Sequence, residues 1–67
     1  MQSLKDTLRK MKDTDVAFYA FLVSQDKREN VKKYVASVFE ELAEENMHRF
    51  GRYYFYTKAK ELAEKTE

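Results

Sequence analysis

A chain of 67 residues is long enough for one domain with a thin hydrophobic core, and it contains no Cys and a single His. This composition excludes disulfide cross-links and an ordinary zinc site of Cys and His ligands, so aromatic packing or self-association must support the fold. Thirteen basic and twelve acidic side chains leave a net charge of +1, without the basic excess typical of non-specific nucleic-acid binders. We expect one domain over residues 1–67.

The first segment predicts a short amphipathic helix over residues 4–12. Ser3 can cap it by accepting a hydrogen bond from the backbone N–H of Asp6, whose carboxylate can return the bond, as in a capping box. Leu8 lies on its apolar face at helical spacing from the neighbouring apolar residues. The stretch Asp13-Thr14-Asp15 is then expected to stop this helix and to cap the next one.

Residues 16–23 form an uninterrupted apolar and aromatic run, which suits either a buried helix or a buried strand. The acidic cap before the run and its two Ala residues favour a helix, whereas its β-branched and aromatic content favours a strand. We expect a helix that lies in the core, since an exposed patch of this size would aggregate or mark an interface. If the protein dimerises, this run is the first candidate for the interface.

The clearest helix is predicted over residues 27–46, with Asp26 as its cap and Glu29 reaching back to complete a second capping box. Its apolar stripe consists of Val31, Val35, Val38 and Leu42. Acidic side chains gather at its C-terminal end, where the helix dipole favours bases. This acidic patch comprises Glu40, Glu41, Glu44 and Glu45. We expect it to face basic residues elsewhere in the chain or in a partner.

A turn is predicted at residues 46–51, where Gly51 can take the left-handed conformation that ends a helix. The last segment is interpreted as a helix over residues 52–64, with a buried stripe of Phe55, Ala59 and Leu62. Alternatively, residues 52–56 form a strand that pairs with residues 16–23. The sequence therefore predicts an all-α bundle of three to four helices, and the alternative is a small α+β domain that resembles a winged helix.

The segment 46–60 carries cations and aromatic residues and no acidic residue. The predicted binding residues are Arg49, Arg52, Tyr53, Tyr56, Lys58 and Lys60. All of them except Lys58 share one face of a continuous helix. Such a face could bind an acidic protein partner, or contact phosphates while the Tyr rings stack on bases. The opposing interpretation is that the rings cover a thin core and the cations pair with the acidic patch.

No catalytic constellation is recognisable in the sequence. A Cys nucleophile is absent, and one Gly cannot form a phosphate-binding loop. Glu45 and His48 match half of the Glu-x-x-His motif of di-iron bundles, which only a symmetric dimer could complete. We therefore expect no enzyme activity, no cofactor and no metal.

The first functional hypothesis is a non-enzymatic regulatory or adaptor protein that binds another protein through the basic, Tyr-rich C-terminal helix and the acidic patch. The alternative is a DNA-binding protein that uses residues 49–60, as a dimer. No apolar run is long enough to span a bilayer and the first residues lack a signal-peptide core, so we expect a cytoplasmic protein without membrane contact. We also expect that the chain can form homo-oligomers. On the first hypothesis, replacing Arg52 and Tyr56 by Ala abolishes partner capture and leaves the fold intact.

Overall fold

The computed structural model describes residues 3–65, and this part of the chain forms four α-helices and no strand. Helix α1 spans Leu4–Lys10, α2 spans Asp13–Ser24, α3 spans Glu29–Glu45 and α4 spans Phe50–Glu64. The all-α prediction is confirmed, because residues 16–23 and 52–56 both lie in helices. No described helix is long and apolar enough to cross a membrane. The predicted domain also includes residues 1, 2, 66 and 67, which lie outside the described residues.

The start of α1 confirms one predicted cap in part. Ser3 Oγ accepts a hydrogen bond from the backbone N–H of Asp6 at 3.2 Å. The carboxylate of Asp6 accepts a hydrogen bond from Arg9 at 2.7 Å instead of completing the capping box. The helix ends at Lys10, earlier than predicted, because the backbone of Met11 is extended.

The caps predicted for the next two helices are wrong. Asp13 is the first residue of α2 itself, and the cap residue Lys12 makes no side-chain hydrogen bond. The carboxylate of Asp26 accepts a hydrogen bond from the backbone N–H of Arg28 at 2.8 Å, so α3 begins at Glu29 and not at residue 27. An Asp side chain that bonds the backbone two residues later forms a local turn, and this turn competes with helix capping.

Gly51 does not end a helix, in contrast to the prediction. Helix α3 ends at Glu45 with Asn46 as its C-cap, and Gly51 is the second residue of α4. No residue between positions 3 and 65 has a positive φ. The Asn46 side-chain amide donates a hydrogen bond to the Leu42 carbonyl at 2.8 Å, which satisfies one of the carbonyl groups that a glycine cap would satisfy.

Helix α3 is central to the packing: α1 and α2 contact it, and α4 packs against both α3 and α2. The largest fully buried side chains are Phe39, Leu8, Leu42, Val16 and Val35. Three of these five belong to α3, so the other helices are arranged around its apolar stripe. Helices α2 and α4 run parallel. Arg52 in the first turn of α4 binds Asp13 in the first turn of α2, and one side chain of α3, Lys32, binds the C-terminal ends of both helices.

Only one side of α2 lies in the core. Its inward side consists of Val16, Ala20 and Val23, which are all buried. The prediction that the whole run 16–23 is core is wrong for Phe18, Phe21 and Leu22, which are 62%, 48% and 49% exposed. A helix that rests on a bundle turns only one side inward, and an apolar run without periodicity does not reveal which side that is.

The buried stripe of α4 differs from the predicted one by a small rotation. The buried residues are Tyr56, Ala59 and Ala63, whereas Phe55 and Leu62 are only partly buried. Tyr56 packs on Phe39 of α3, with ring centroids 6.4 Å apart. The side chain of Tyr56 therefore occupies the core position that the sequence predicted for Phe55.

Lys32 is buried to 4% exposure, an unusual position for a charged side chain. Its ammonium group donates hydrogen bonds to the carbonyl groups of Ser24 and Lys65. Ser24 is the last residue of α2, and Lys65 directly follows α4. Because helix C-termini carry a partial negative charge, the ammonium group stabilises both ends and holds them together.

We expect Lys32→Met to lower the free energy of unfolding by about 1–3 kcal/mol, because it removes the donor from one buried and one partly buried helix-end carbonyl. Urea denaturation measures the effect. Lys33→Met is the matched control, since Lys33 is the exposed neighbour of Lys32 on the same helix. Equal stability of the two variants would contradict the role assigned to Lys32.

Candidate functional site

Tyr56 and Arg52, predicted as binding residues, are used inside the fold. Tyr56 is only 2% exposed. One guanidinium nitrogen of Arg52 donates to both carboxylate oxygens of Asp13, at 2.8 and 3.0 Å, and a second donates to the Tyr56 hydroxyl at 3.2 Å. The hydrogen bond to Asp13 is the main reason that the pKa of Arg52 is raised. Replacing Arg52 and Tyr56 by Ala would damage the core, so this pair cannot test partner binding on an intact fold.

The two predicted lysines lie on different sides of α4. The Lys60 ammonium is 3.9 Å from a carboxylate oxygen of Glu40 on α3 and 3.6 Å from one of Glu64. Lys58 is 3.5 Å from Glu61 and lies over the ring of Tyr54, on the outward side of the helix. Within residues 3–65, Lys60 is therefore the one predicted binding cation that pairs with the acidic patch.

Helix α1 neutralises half of the acidic patch. Lys5 pairs with Glu41 at 3.3 Å and with Glu45, and Arg9 pairs with Glu45 at 2.8 Å. Hydrogen bonds from Lys5 and then Arg9 lower the pKa of Glu45. The expectation that the patch faces basic residues elsewhere in the chain is confirmed for this half.

Sequence reasoning did not single out the α1 cations, although a signal for them was present. Lys5 and Arg9 are four residues apart, and so are Glu41 and Glu45. Residues at that spacing lie on one side of a helix, so each pair presents two like charges at matching separation. Two such pairs of opposite charge indicate that α1 lies along the end of α3.

The other half of the acidic patch faces a groove of about 410 Å³ between α3 and α4, here called the α3–α4 groove. Its lining residues are Glu40, Ala43, Glu44, Met47, Tyr53, Thr57 and Lys60. Met47 and Tyr53 are 69% and 40% exposed, so the groove combines exposed apolar side chains with carboxylates. It unites members of both predicted binding regions.

Two further aromatic residues extend the apolar surface beside the groove. Phe50 is 81% exposed and Tyr54 is 53% exposed. Their rings stack with centroids 6.2 Å apart. Phe50 and Tyr53 are three residues apart on α4 and are therefore neighbours on the helix surface.

A second cleft, of about 420 Å³, gathers three arginines from two parts of the fold. Its lining residues are Arg9, Glu45, Asn46, Arg49, Arg52 and Tyr56. Arg9 and Arg52 are already bound to carboxylates. Arg49 is exposed and has no ion-pair partner within residues 3–65. Arg49 is thus the cation of this cleft that is most accessible to a ligand.

Comparison with protein-family models, curated proteins and solved structures finds no match for this chain. Within residues 3–65, no group of three or more His, Cys, Asp or Glu side chains is placed to hold a metal ion. The described surface contains an open groove with carboxylates and apolar side chains, and a cleft with the accessible Arg49.

We expect Glu45→Gln to lower the free energy of unfolding at neutral pH by at most about 1 kcal/mol, since Glu45 is partly exposed. The folded-state pKa of Glu45 lies below its ordinary value of 4.5. Its stabilising contribution is therefore complete above that value and is lost as the pH falls through the folded-state pKa. Urea denaturation at neutral pH and in acid measures the difference between the variant and the original chain.

Glu44→Gln is the matched control, because Glu44 is exposed and forms no ion pair within residues 3–65. Its stability should stay close to that of the original chain at both pH values. A Glu45→Gln difference that does not shrink in acid would show that Lys5 and Arg9 do not act through the Glu45 charge.

Proposed function

We propose that this chain is a non-enzymatic regulatory or adaptor protein that acts in the cytoplasm and captures a segment of a protein partner in the α3–α4 groove. The observation that carries the proposal is the composition of this groove, with Glu40 and Glu44 from α3 beside the exposed Met47 and Tyr53. Met adapts to apolar surfaces of different shape, and Tyr offers a large contact area with little loss of conformational entropy.

We infer the kind of partner segment from the chemistry of the groove. An apolar or aromatic side chain of the partner would pack on Met47 and Tyr53, and an adjacent Lys or Arg would bind Glu44. Glu40 already has Lys60 at 3.9 Å, so Glu44 is the carboxylate with more capacity for a partner cation. Opposite charges also steer association and raise its rate.

The charge distribution favours protein over nucleic acid as the ligand of this groove. Carboxylates repel phosphates, and two of them line the α3–α4 groove. Of the cations predicted to contact DNA, Arg52, Lys58 and Lys60 all lie within 4 Å of carboxylates. To bind DNA, these cations would have to give up their carboxylates for phosphates. The loss of these ion pairs would offset much of the free energy gained from the phosphate contacts.

DNA binding is a second candidate function, and the convergence of Arg9, Arg49 and Arg52 in one cleft is the observation that favours it. A monomer would make about three phosphate contacts there. The logarithm of the binding constant would then fall with the logarithm of salt concentration with a slope of about −2.7. Such weak, salt-sensitive binding is distinguishable from protein capture.

Selection from a random displayed peptide library tests the groove. We expect the original chain to enrich peptides that carry Lys or Arg next to an apolar side chain. Glu44→Lys should weaken binding of these peptides about tenfold and reverse its salt dependence, because the attraction becomes a repulsion that salt screens. Tyr53→Ala should weaken binding by a similar factor and leave the salt dependence in place, because it removes apolar contact only.

Glu61→Lys is the matched control, since it makes the same charge change on an exposed residue that does not line the groove. Equal peptide affinities for Glu44→Lys and Glu61→Lys would contradict the proposed site. A mass increase with a short DNA duplex at low salt, lost at high salt and lost in Arg49→Ala, would support the second candidate instead.

A further inference from the structure

Only two residues, Met11 and Lys12, separate helices α1 and α2. Both have extended backbones, with φ and ψ of −74° and 152° at Met11 and of −66° and 151° at Lys12. The chain therefore turns between the helices, and α1 packs on α3. Neither α1 nor this connection contributes a residue to the α3–α4 groove, so an inference from them stands apart from the proposed function.

The sequence of the connection does not require a break in the helix. Residues 4–24 include no Gly and no Pro, and Met and Lys are both good helix formers. A Lys side chain offers no acceptor at the N-cap position, and Lys12 makes no cap hydrogen bond to α2. The break therefore follows from the packing of α1 on α3 and not from the local sequence.

The break also leaves backbone groups unpaired. Within residues 3–65, the backbone N–H groups of residues 12–15 have no protein acceptor. In a continuous helix over residues 4–24, they would donate to the carbonyl groups of residues 8–11. Straightening would thus add up to four backbone hydrogen bonds. It would also pull α1 away from α3, and the partly buried Met11 away from the core.

The site that α1 occupies on α3 needs an occupant. Leu8 is fully buried there. Lys5 pairs with Glu41 at 3.3 Å and with Glu45, and Arg9 pairs with Glu45 at 2.8 Å. Removal of α1 would expose the apolar surface that covers Leu8 and would leave both glutamates without these cations. The α1 helix of a second copy can supply the same contacts.

We propose that two copies of this chain exchange their α1 helices, with residues 4–24 of each copy forming one continuous helix. The α1 helix of each copy then occupies the α1 site of the other and makes there the contacts that it makes here within one chain. Exchange of an identical element is a low-cost route to a dimer, because the interface already exists in the monomer. The dimer gains the hydrogen bonds of the straightened connection and loses the freedom of two separate molecules, so its population rises with protein concentration.

The charges near the connection permit a continuous helix. Lys12 and Asp15 are exposed and form no ion pair within residues 3–65. They are three residues apart and would be neighbours on such a helix. Arg9 is also three residues from Lys12, but two carboxylates already bind it. Asp13 keeps its contact with Arg52, because α2 stays in place.

Lys12→Pro tests whether the connection must straighten. Proline suits the φ of −66° at this position, the extended Met11 before it suits a residue that precedes proline, and the Lys12 N–H has no protein acceptor to lose within residues 3–65. In a continuous helix, proline would remove one hydrogen bond and clash with the preceding turn. After refolding from urea, we expect light scattering over a concentration series to show a dimer for the original chain and a monomer for Lys12→Pro, with equal helix content by circular dichroism.

Lys12→Ala is the matched control, since it removes the same charge and keeps a residue that favours a helix. It should dimerise at least as strongly as the original chain. The difference between the Pro and Ala variants at one position then reports the backbone of the connection and not the Lys12 charge.

Complementary charge reversal tests whether α1 crosses between copies. One variant carries Lys5→Glu and Arg9→Glu, and the other carries Glu41→Lys and Glu45→Lys. Each variant alone has like charges on α1 and on its site, both within one chain and between identical copies. When the two variants are refolded together in equal amounts, only the exchange of α1 between them restores opposite charges at both sites. We expect the mixture to form a dimer at concentrations at which each variant alone is monomeric.

An original chain that stays monomeric at about 1 mM overturns the proposal. A dimer that survives Lys12→Pro, or one that is lost equally in Lys12→Ala, also overturns it. So does a mixture of the two charge variants that is no heavier than either variant alone.

Discussion

The contact between Phe39 of α3 and Tyr56 of α4 determines the rotation of α4 about its own axis, and most surface features depend on that rotation. With Tyr56 turned inward, Arg52 lies one helical turn earlier, close to Asp13 of α2. Tyr53 is directed to the α3–α4 groove on one side, and Phe50 remains on the surface. The six predicted binding residues are therefore divided among different surroundings. Arg52 and Tyr56 bond each other inside the fold, Tyr53 and Lys60 line the groove, Arg49 lines the second cleft, and Lys58 faces outward.

The ion pairs of α1 divide the acidic patch in a comparable way. Lys5 and Arg9 bind the two glutamates that face α1, so their charges stabilise the fold and are less available to a ligand. The two glutamates that face α4 line the groove. A charge cluster that looks uniform in sequence thus has one structural half and one half that can contribute to recognition.

The thin core leaves apolar side chains on two separate surfaces: the α3–α4 groove, and the outward side of α2 with Phe18, Phe21 and Leu22. These surfaces share no residue.

The sequence by itself determined α1 and α3, because no Pro, one Gly and clear apolar spacing leave little local alternative to helical structure. For residues 16–23 and 52–56 it favoured a helix and left a strand open, since an apolar run without periodicity suits both. It did not determine the starts of α2 and α3, since an Asp can satisfy either a helix or a local turn, and Asp26 bonds a turn. It also left the binding face undecided. Phe55-Ala59-Leu62 and Tyr56-Ala59-Ala63 are overlapping stripes of one helix, and both satisfy the helical period. Only tertiary packing chose the second, because the inward side of a helix is the side whose shape fits the neighbouring helices.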